Sequence, residues 1–198
     1  MRHFLNFMIA RRPIFGANDS ALDRLTGNRP MSESTLAYTY MDSPIGRLLL
    51  AGDAGRLHRI GFATEDWTRQ PPPDWQLANT MFAEPVTQLQ AYFAGELTAF
   101  NLELHFGGTA FQNSVWTTLC KIPFGDKTSY SALARRIDRP KACRAVGAAN
   151  GANPLPIVVP CHRVIGANGS LTGFGGGIET KKYLLEHEQR VLRKTPRD

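Results

Sequence analysis

Residues 155–164 read Leu-Pro-Ile-Val-Val-Pro-Cys-His-Arg-Val, an apolar run followed by a cysteine, a histidine and an arginine. The prolines in this apolar run predict a stiff, extended segment, because each biases the residue before it away from helical geometry. The segment ends at Cys161, and His162 follows. A cysteine reacts as its thiolate, so the histidine is a candidate general base. Neighbouring side chains on extended backbone point to opposite sides, which favours a water between the two. From these residues alone, a packed and unreactive thiol also stays open.

A glycine-rich loop and a helix are predicted downstream. The loop, residues 166–177, does not match a dinucleotide-binding motif, because it follows no strand of a βαβ unit and lacks the required glycine order. Residues 178–189 predict an amphipathic helix with Lys181 and Lys182 facing outward. Glu188, near the end of this helix, could orient the histidine ring. The three residue types would then form a Cys–His–Glu set.

Helices are also predicted upstream of the segment. Thr109 and Gln112 have the spacing of a capping box and begin a helix, on whose apolar face Cys120 is expected in the core. Residues 131–137 and 141–150 predict two short helices joined by a tight turn, a candidate helix-turn-helix. The small residues of the second helix would let it lie close to another helix or to a DNA groove.

The first half of the chain predicts mostly strands. Three short apolar segments separated by turns predict an antiparallel meander, and a helix and a last alternating strand follow after a proline-rich loop. The predicted ranges are strands at 36–41, 47–51, 57–62 and 100–106, a loop at 64–79 and a helix at 84–94.

Charge and cysteine usage narrow the function classes. Residues 109–198 contain 14 Lys and Arg against 6 Asp and Glu, whereas residues 1–108 contain 9 against 11. A basic half fits a polyanionic partner such as nucleic acid. The 3 cysteines have no C-x-x-C spacing and the 5 histidines have no ligand spacing, so we expect no metal site and a reducing compartment. No apolar run reaches the roughly 18 residues of a membrane span.

Together these patterns predict an α+β fold: a small N-terminal antiparallel sheet domain with a helix, then a mainly helical C-terminal domain containing the helix-turn-helix. The predicted boundaries are a disordered extension at 1–33, domains at 34–108 and 109–190, and a polar tail at 191–198.

Five motifs resemble one family. Pro160-Cys161-His162-Arg163-Val164 looks like the active-site motif of the O6-alkylguanine-DNA alkyltransferases, also called methylated-DNA–protein-cysteine methyltransferases. The resemblance extends, in the family's order and spacing, over Lys141–Gly147, Asn153-Pro154, the Gly173–Gly177 loop and Leu184–Glu188. It covers roughly residues 36–188.

The resemblance implies an activity. The protein would repair DNA alkylated at guanine O6, and at thymine O4, after flipping the damaged nucleotide out of the duplex. Cys161 would keep the alkyl group as a thioether, so that each molecule acts once and no cofactor is used. His162 would be the water-mediated base, Glu188 would hold it, and Asn153 would brace the segment. The first domain would be ribonuclease-H-like, and the protein would be a monomer in the bacterial cytosol.

The resemblance also implies DNA contacts. Arg144 would fill the gap left by the flipped base, Tyr130 would crowd the 3′ phosphate, and the recognition helix would enter the minor groove, which is only ~6 Å wide. Further expected contacts to DNA come from Ser129, Ala145 and Gly147, and the base pocket would comprise Phe174, Gly175, Val164 and Arg163.

Two residues depart from the family's pattern. Phe174 stands where the family often has a tyrosine whose hydroxyl contacts the guanine ring, and Gly175 stands where a serine is frequent.

Three other functions are compatible with the sequence. They are a non-catalytic binder of alkylated DNA, which Cys161 argues against; a sequence-selective helix-turn-helix protein with a structural cysteine; and a cysteine hydrolase.

Overall fold

The computed structural model describes residues 36–194. The predicted extension at 1–33 and the end of the predicted tail, residues 195–198, lie outside this range. The predicted α+β architecture is confirmed, with a small sheet followed by helices. Antiparallel pairing joins the first three strands in sequence order, as the meander predicts. These strands are β1 (Ala37–Met41), β2 (Leu48–Asp53) and β3 (Arg56–Phe62).

The sheet is mixed rather than purely antiparallel. A two-residue strand, β4 (Gln76–Leu77), pairs in parallel with β1, giving the order β3-β2-β1-β4. It lies within the stretch predicted as loop, as does the short helix α1 (Asp66–Arg69).

The predicted strand at 100–106 is wrong. Within it, a single bridge joins Leu104 to Leu57. Its alternating apolar side chains, which suggested a strand, pack against the core from a loop that has no further strand partner among the described residues.

Helix α2 (Ala83–Ala94) ends as the sequence predicts. Gly95 follows it with φ 81°, in the left-handed region that glycine enters without a Cβ clash. Leu89 and Tyr92 of this helix are fully buried. The hydroxyl of Tyr92 thereby comes within hydrogen-bond distance of Glu188 in the last helix.

Helix α3 (Ala110–Leu119) begins at the predicted capping box, in which Thr109 and Gln112 exchange side chain–backbone hydrogen bonds. The prediction that Cys120 lies in the core is wrong. The helix ends at Leu119, and Cys120, which follows as its cap, is exposed.

The two short helices are α4 (Tyr130–Arg136) and α5 (Cys143–Gly151), and the turn between them takes Asp138 to φ 56°. Two short parallel strands, β5 (Thr128–Ser129) and β6 (Val164–Ile165), join the start of α4 to the segment that follows Cys161.

The last helix, α6 (Ile178–Lys194), is longer than predicted, so residues 191–194 belong to a helix and not to a tail. A single cluster of buried side chains includes residues of the sheet and of the helices, among them Leu50, Trp116, Val146, Cys161 and Leu184. Within residues 36–194, no helix combines the length and apolar character needed to cross a bilayer.

Candidate active site

The segment before Cys161 is held by hydrogen bonds and by one strained residue. Asn153 donates from Nδ2 to the Val159 carbonyl (2.8 Å) and accepts from the Leu155 amide at Oδ1 (3.0 Å). Ile157 is fully buried at φ 78°, a backbone region that a β-branched residue rarely occupies. The chain is therefore fixed on both sides of Ile157, ahead of the turn that presents Cys161.

Cys161 itself is not on extended backbone. It begins a 3₁₀ turn, Cys161–Arg163, in which its amide bonds the Val159 carbonyl (2.8 Å) and the Arg163 amide bonds the Pro160 carbonyl (3.0 Å). The prediction of opposite side-chain directions at Cys161 and His162 thus rested on the wrong geometry. The prolines stiffen the segment, but its last residues turn.

Burial decides the protonation of the thiol. The Cys161 side chain lies in the core at 4% exposure. Burial raises its pKa to about 11, although a hydrogen bond from Asn153 and the positive charge of Lys181 act in the opposite direction. The thiol is therefore neutral at rest, and a base has to remove its proton when the substrate is bound.

His162 is placed to be that base. Its Nε2 lies 2.8 Å from Oε1 of Glu188, and a carboxylate there can only accept, so Nε2 bears the hydrogen. Nδ1 is then an unprotonated nitrogen, and it is buried without a hydrogen-bond partner among the described residues. Burial also lowers the His162 pKa and outweighs Glu188, which acts to raise it. The ring therefore stays neutral.

Glu188 is the centre of a buried network. Besides His162, its carboxylate accepts hydrogen bonds from the Tyr92 hydroxyl (2.9 Å), the Gly125 amide (2.8 Å) and the Arg163 guanidinium (2.9 Å at the shortest). Burial alone would raise its pKa, but His162 and Arg163 outweigh burial and lower the pKa to about 2. The carboxylate is therefore ionised at any physiological pH.

The resemblance implied that Arg163 lines the base pocket, and the structure shows that it does not. Its guanidinium turns to Glu188 and to the Ile122 carbonyl (2.6 Å), because a buried cation requires a counterion and acceptors. Val164 is also absent from the cavity beside Cys161, since its fully buried side chain packs in the core while its backbone pairs with β5.

Lys181 faces inward, which corrects the prediction that it faces solvent. Its ammonium is fully buried and donates to the carbonyls of Val164 (2.6 Å) and Thr172 (2.8 Å). It thus ties the turn after Cys161 to the glycine-rich loop and brings a positive charge close to the thiol. In the sequence, Lys181 is one of two adjacent lysines on a predicted helix, and nothing there indicated that its ammonium is buried.

A cavity of about 180 Å³ opens beside the thiol. Phe174 and Gly175 of the glycine-rich loop line it together with Cys161 and Asn153, as the resemblance implied. The Phe174 ring contacts Phe62 of β3, with centroids 5.5 Å apart. Strand β3 and the turn before α1 also supply part of the lining, which nothing in the sequence indicated.

The expected DNA-contacting residues lie around the helix-turn-helix. Arg144 and Ala145 are exposed on α5. A Cβ at Gly147 would lie 3.8 Å from the ring of Tyr130, so the two helices approach closely there. Ser129 caps α4 by accepting from the Ala132 amide (3.2 Å), and its exposed fraction is intermediate.

Sequence reasoning missed Tyr92 and Asn150. Tyr92 fits the apolar face of α2 and gives no sign that its hydroxyl reaches Glu188, 96 positions away. Asn150, at the end of α5, donates to the Cys161 carbonyl (3.4 Å). Within residues 36–194, no group of three or more His, Cys, Asp or Glu side chains is arranged to hold a metal ion.

Comparisons with known proteins identify similar sequences and structures. Two family models match: 6-O-methylguanine DNA methyltransferase, ribonuclease-like domain, over residues 36–106, and 6-O-methylguanine DNA methyltransferase, DNA binding domain, over residues 110–190. Methylated-DNA–protein-cysteine methyltransferases of Mycobacterium leprae and Methanosarcina mazei are 51% and 47% identical, over 77% and 79% of this chain and 92% and 99% of theirs. The crystal structure of Mycobacterium tuberculosis OGT in complex with DNA superposes with a TM-score of 0.73 at 47% identity, covering 79% of this chain and 94% of that one.

Proposed function

Because the chain belongs to the methylated-DNA–protein-cysteine methyltransferase family and is a DNA repair enzyme of that class, we propose that Cys161 is its alkyl acceptor. The observation on which this rests is the arrangement of Cys161, His162 and Glu188: a buried thiol beside a neutral imidazole whose free nitrogen is Nδ1. The substrate is double-stranded DNA alkylated at guanine O6, and at thymine O4.

The reaction transfers one alkyl group and ends. His162 takes the thiol proton at Nδ1 through a water, and Glu188 stabilises the imidazolium that forms. The sulfur then bonds to the alkyl carbon as the carbon–O6 bond breaks, and the electron pair stays on O6. The thioether has no leaving group, so Cys161 is not regenerated and no cofactor takes part.

The target base has to leave the duplex first. A thiol that is 4% exposed at the edge of a cavity cannot reach an atom inside stacked DNA. Arg144 enters the duplex from α5 and fills the space of the extruded nucleotide, while Tyr130 crowds the neighbouring phosphate. Small residues such as Ala145 and Gly147 let this helix fit a groove only ~6 Å wide, and Ser129 contacts the backbone at the start of α4.

The protein works as a monomer on chromosomal DNA in the bacterial cytosol. One chain supplies the nucleophile, the base, the carboxylate and the recognition helix, so no residue has to come from a second copy.

Mass spectrometry tests the assignment. A duplex containing one O6-methylguanine is incubated with the protein, which is then digested. We expect one added methyl mass on the peptide containing Cys161 and a limit of one methyl per protein molecule. Repeated turnover would contradict a one-use acceptor, and bound DNA without transfer would indicate a damage-binding protein.

Two of the three cysteines serve as matched controls. Cys161→Ser should abolish transfer, whereas Cys120→Ser and Cys143→Ser should leave its rate and its limit unchanged. Cys120 is the stricter control, since it is an exposed residue whereas Cys161 is buried. Methyl mass on the Cys120 or Cys143 peptide of the wild-type protein would contradict the assignment.

A further inference from the structure

The cavity beside Cys161 contains few groups that can move a proton. When the carbon–O6 bond breaks, guanine leaves with an extra electron pair and needs a proton to depart as the neutral base. The side chains that line the cavity include three titratable groups, Arg59, Glu65 and Cys161. Arginine stays protonated under all ordinary conditions, and Cys161 is the nucleophile. Among the described residues that line the cavity, Glu65 is therefore the one carboxylic acid.

Glu65 lies against the glycine-rich loop. A Cβ built on Gly175 would lie 3.7 Å from Oε1 of Glu65, so the carboxyl fills the space next to a loop residue that has no side chain of its own. The adjoining Phe174 has a ring but no hydroxyl. The glycine-rich loop has no polar side chain at Phe174 or Gly175, and the Glu65 carboxyl, from the turn before α1, lies next to that position.

The backbone around Glu65 is firmly held. Its amide donates to the Phe62 carbonyl (2.9 Å), and the buried hydroxyl of Thr68 contacts the carbonyls of Phe62 (2.7 Å) and Glu65 (2.6 Å). This turn joins β3 to α1, and both elements are part of the sheet region. The backbone that carries the Glu65 side chain is therefore in place before any base enters.

The surroundings of Glu65 favour its neutral form. Burial raises its pKa, although a hydrogen bond with Trp67 and the positive charge of Arg59 act against burial. The Arg59 guanidinium lies over the Trp67 ring, 5.4 Å from its centroid. A bound base would remove more water from the carboxyl and would favour the acid further.

We propose that Glu65 is the proton donor to the departing guanine. The bond from the Cys161 sulfur to the alkyl carbon forms, the carbon–O6 bond breaks with its electron pair on the purine, and the carboxyl proton of Glu65 passes to that purine. His162 takes up the thiol proton and later releases it to solvent. The Glu65 carboxylate takes one proton from solvent, so that the number of protons balances. No oxidant, reductant or second substrate is needed.

The test separates protonation of the leaving group from activation of the thiol. Single-turnover rate constants are measured for wild type and Glu65→Gln at saturating duplex containing O6-methylguanine. The same proteins are then alkylated at Cys161 with iodoacetamide, whose leaving iodide takes no proton. We expect the variant to lose roughly 100-fold or more on the duplex and less than twofold with iodoacetamide.

Asp66→Asn is the matched control, because it makes the same carboxyl-to-amide change one residue away, on a side chain that is fully exposed. It should react as wild type with both reagents. The proposal stands if Glu65→Gln loses at least fivefold more on the duplex than with iodoacetamide. It is overturned if that ratio is smaller, which includes equal losses caused by a disturbed fold.

This inference rests on Cys161 being the alkyl acceptor, and the two can fail separately. If wild-type protein adds no methyl group to Cys161, the proposed function fails. If wild type transfers normally and Glu65→Gln does the same, only the proton donor fails.

Discussion

Replacing Glu188 by glutamine should destabilise the protein measurably, and the size of the effect follows from the network. The substitution keeps the shape of the side chain but removes the counterion of Arg163, which is 6% exposed. An unpaired buried charge costs about 3–5 kcal/mol. The pKa of Glu188 gives a similar figure, since lowering it from 4.5 to about 2 corresponds to about 3 kcal/mol. We therefore expect the free energy of unfolding at pH 7 to fall by about 3 kcal/mol.

The pH dependence has a definite sign. The pKa of Glu188 is lower in the folded protein than its ordinary value, so its stabilisation is present above about pH 4.5 and is lost as the pH falls towards 2. The difference between wild type and Glu188→Gln should thus shrink from about 3 kcal/mol at pH 7 to roughly 1.5 kcal/mol at pH 3.

Urea unfolding followed by tryptophan fluorescence measures this difference, because Trp116 is buried in the core. Glu186→Gln, an exposed change two residues away on the same helix, should alter the free energy of unfolding by less than about 0.5 kcal/mol. Adding Arg163→Met to Glu188→Gln should restore part of the stability by removing the unpaired charge. A loss below 1 kcal/mol at pH 7, or a loss that does not change with pH, would refute the reasoning.

Three further outcomes are expected. Lys181→Met should slow the reaction of Cys161 with iodoacetamide several-fold at pH 8, because loss of the ammonium raises the thiol pKa and lowers the thiolate fraction; an unchanged pH profile would exclude this charge effect. Arg144→Ala should reduce repair of duplex DNA more than the reaction with free O6-benzylguanine, since only the duplex needs extrusion, and equal losses in single-turnover assays would contradict that role. Thr109→Ala should lower the free energy of unfolding by about 1 kcal/mol through loss of the capping box, which urea titration would detect.

Local patterns predicted most of the fold correctly. The Thr109–Gln112 capping box and the glycine after α2 are short-range signals, and both mark the observed helix ends. The alternation at 100–106 was misleading, because a loop with half-buried side chains has the same period as a strand and only a partner strand distinguishes the two. Pairing partners are set by the tertiary fold, which also explains why the parallel strand β4 escaped prediction.

In the site, too, features that depend on neighbouring residues were predictable and features that depend on the tertiary fold were not. Cys161 and His162 are adjacent in sequence, so their motif was visible, whereas the partners of Glu188 come from three distant parts of the chain. Lys181 was misassigned because charged side chains are usually exposed, and Arg163 because the resemblance implied a place in the base pocket. Only the structure reveals the carbonyls and the carboxylate that satisfy these two side chains. Glu65 had no signal, since its position next to Gly175 depends on how the sheet meets the glycine-rich loop.

The left-handed backbone at Ile157 restricts how this segment can vary in evolution. Glycine would relieve the conformational strain by ~1–2 kcal/mol, yet it would leave a cavity, and removing a buried isoleucine side chain costs about 2–5 kcal/mol. Valine or leucine would fill the space better but keep the strain. None of these single substitutions both relieves the backbone strain and fills the space in the core. The stretch that presents Cys161 can therefore change at Ile157 only together with a neighbour in the core.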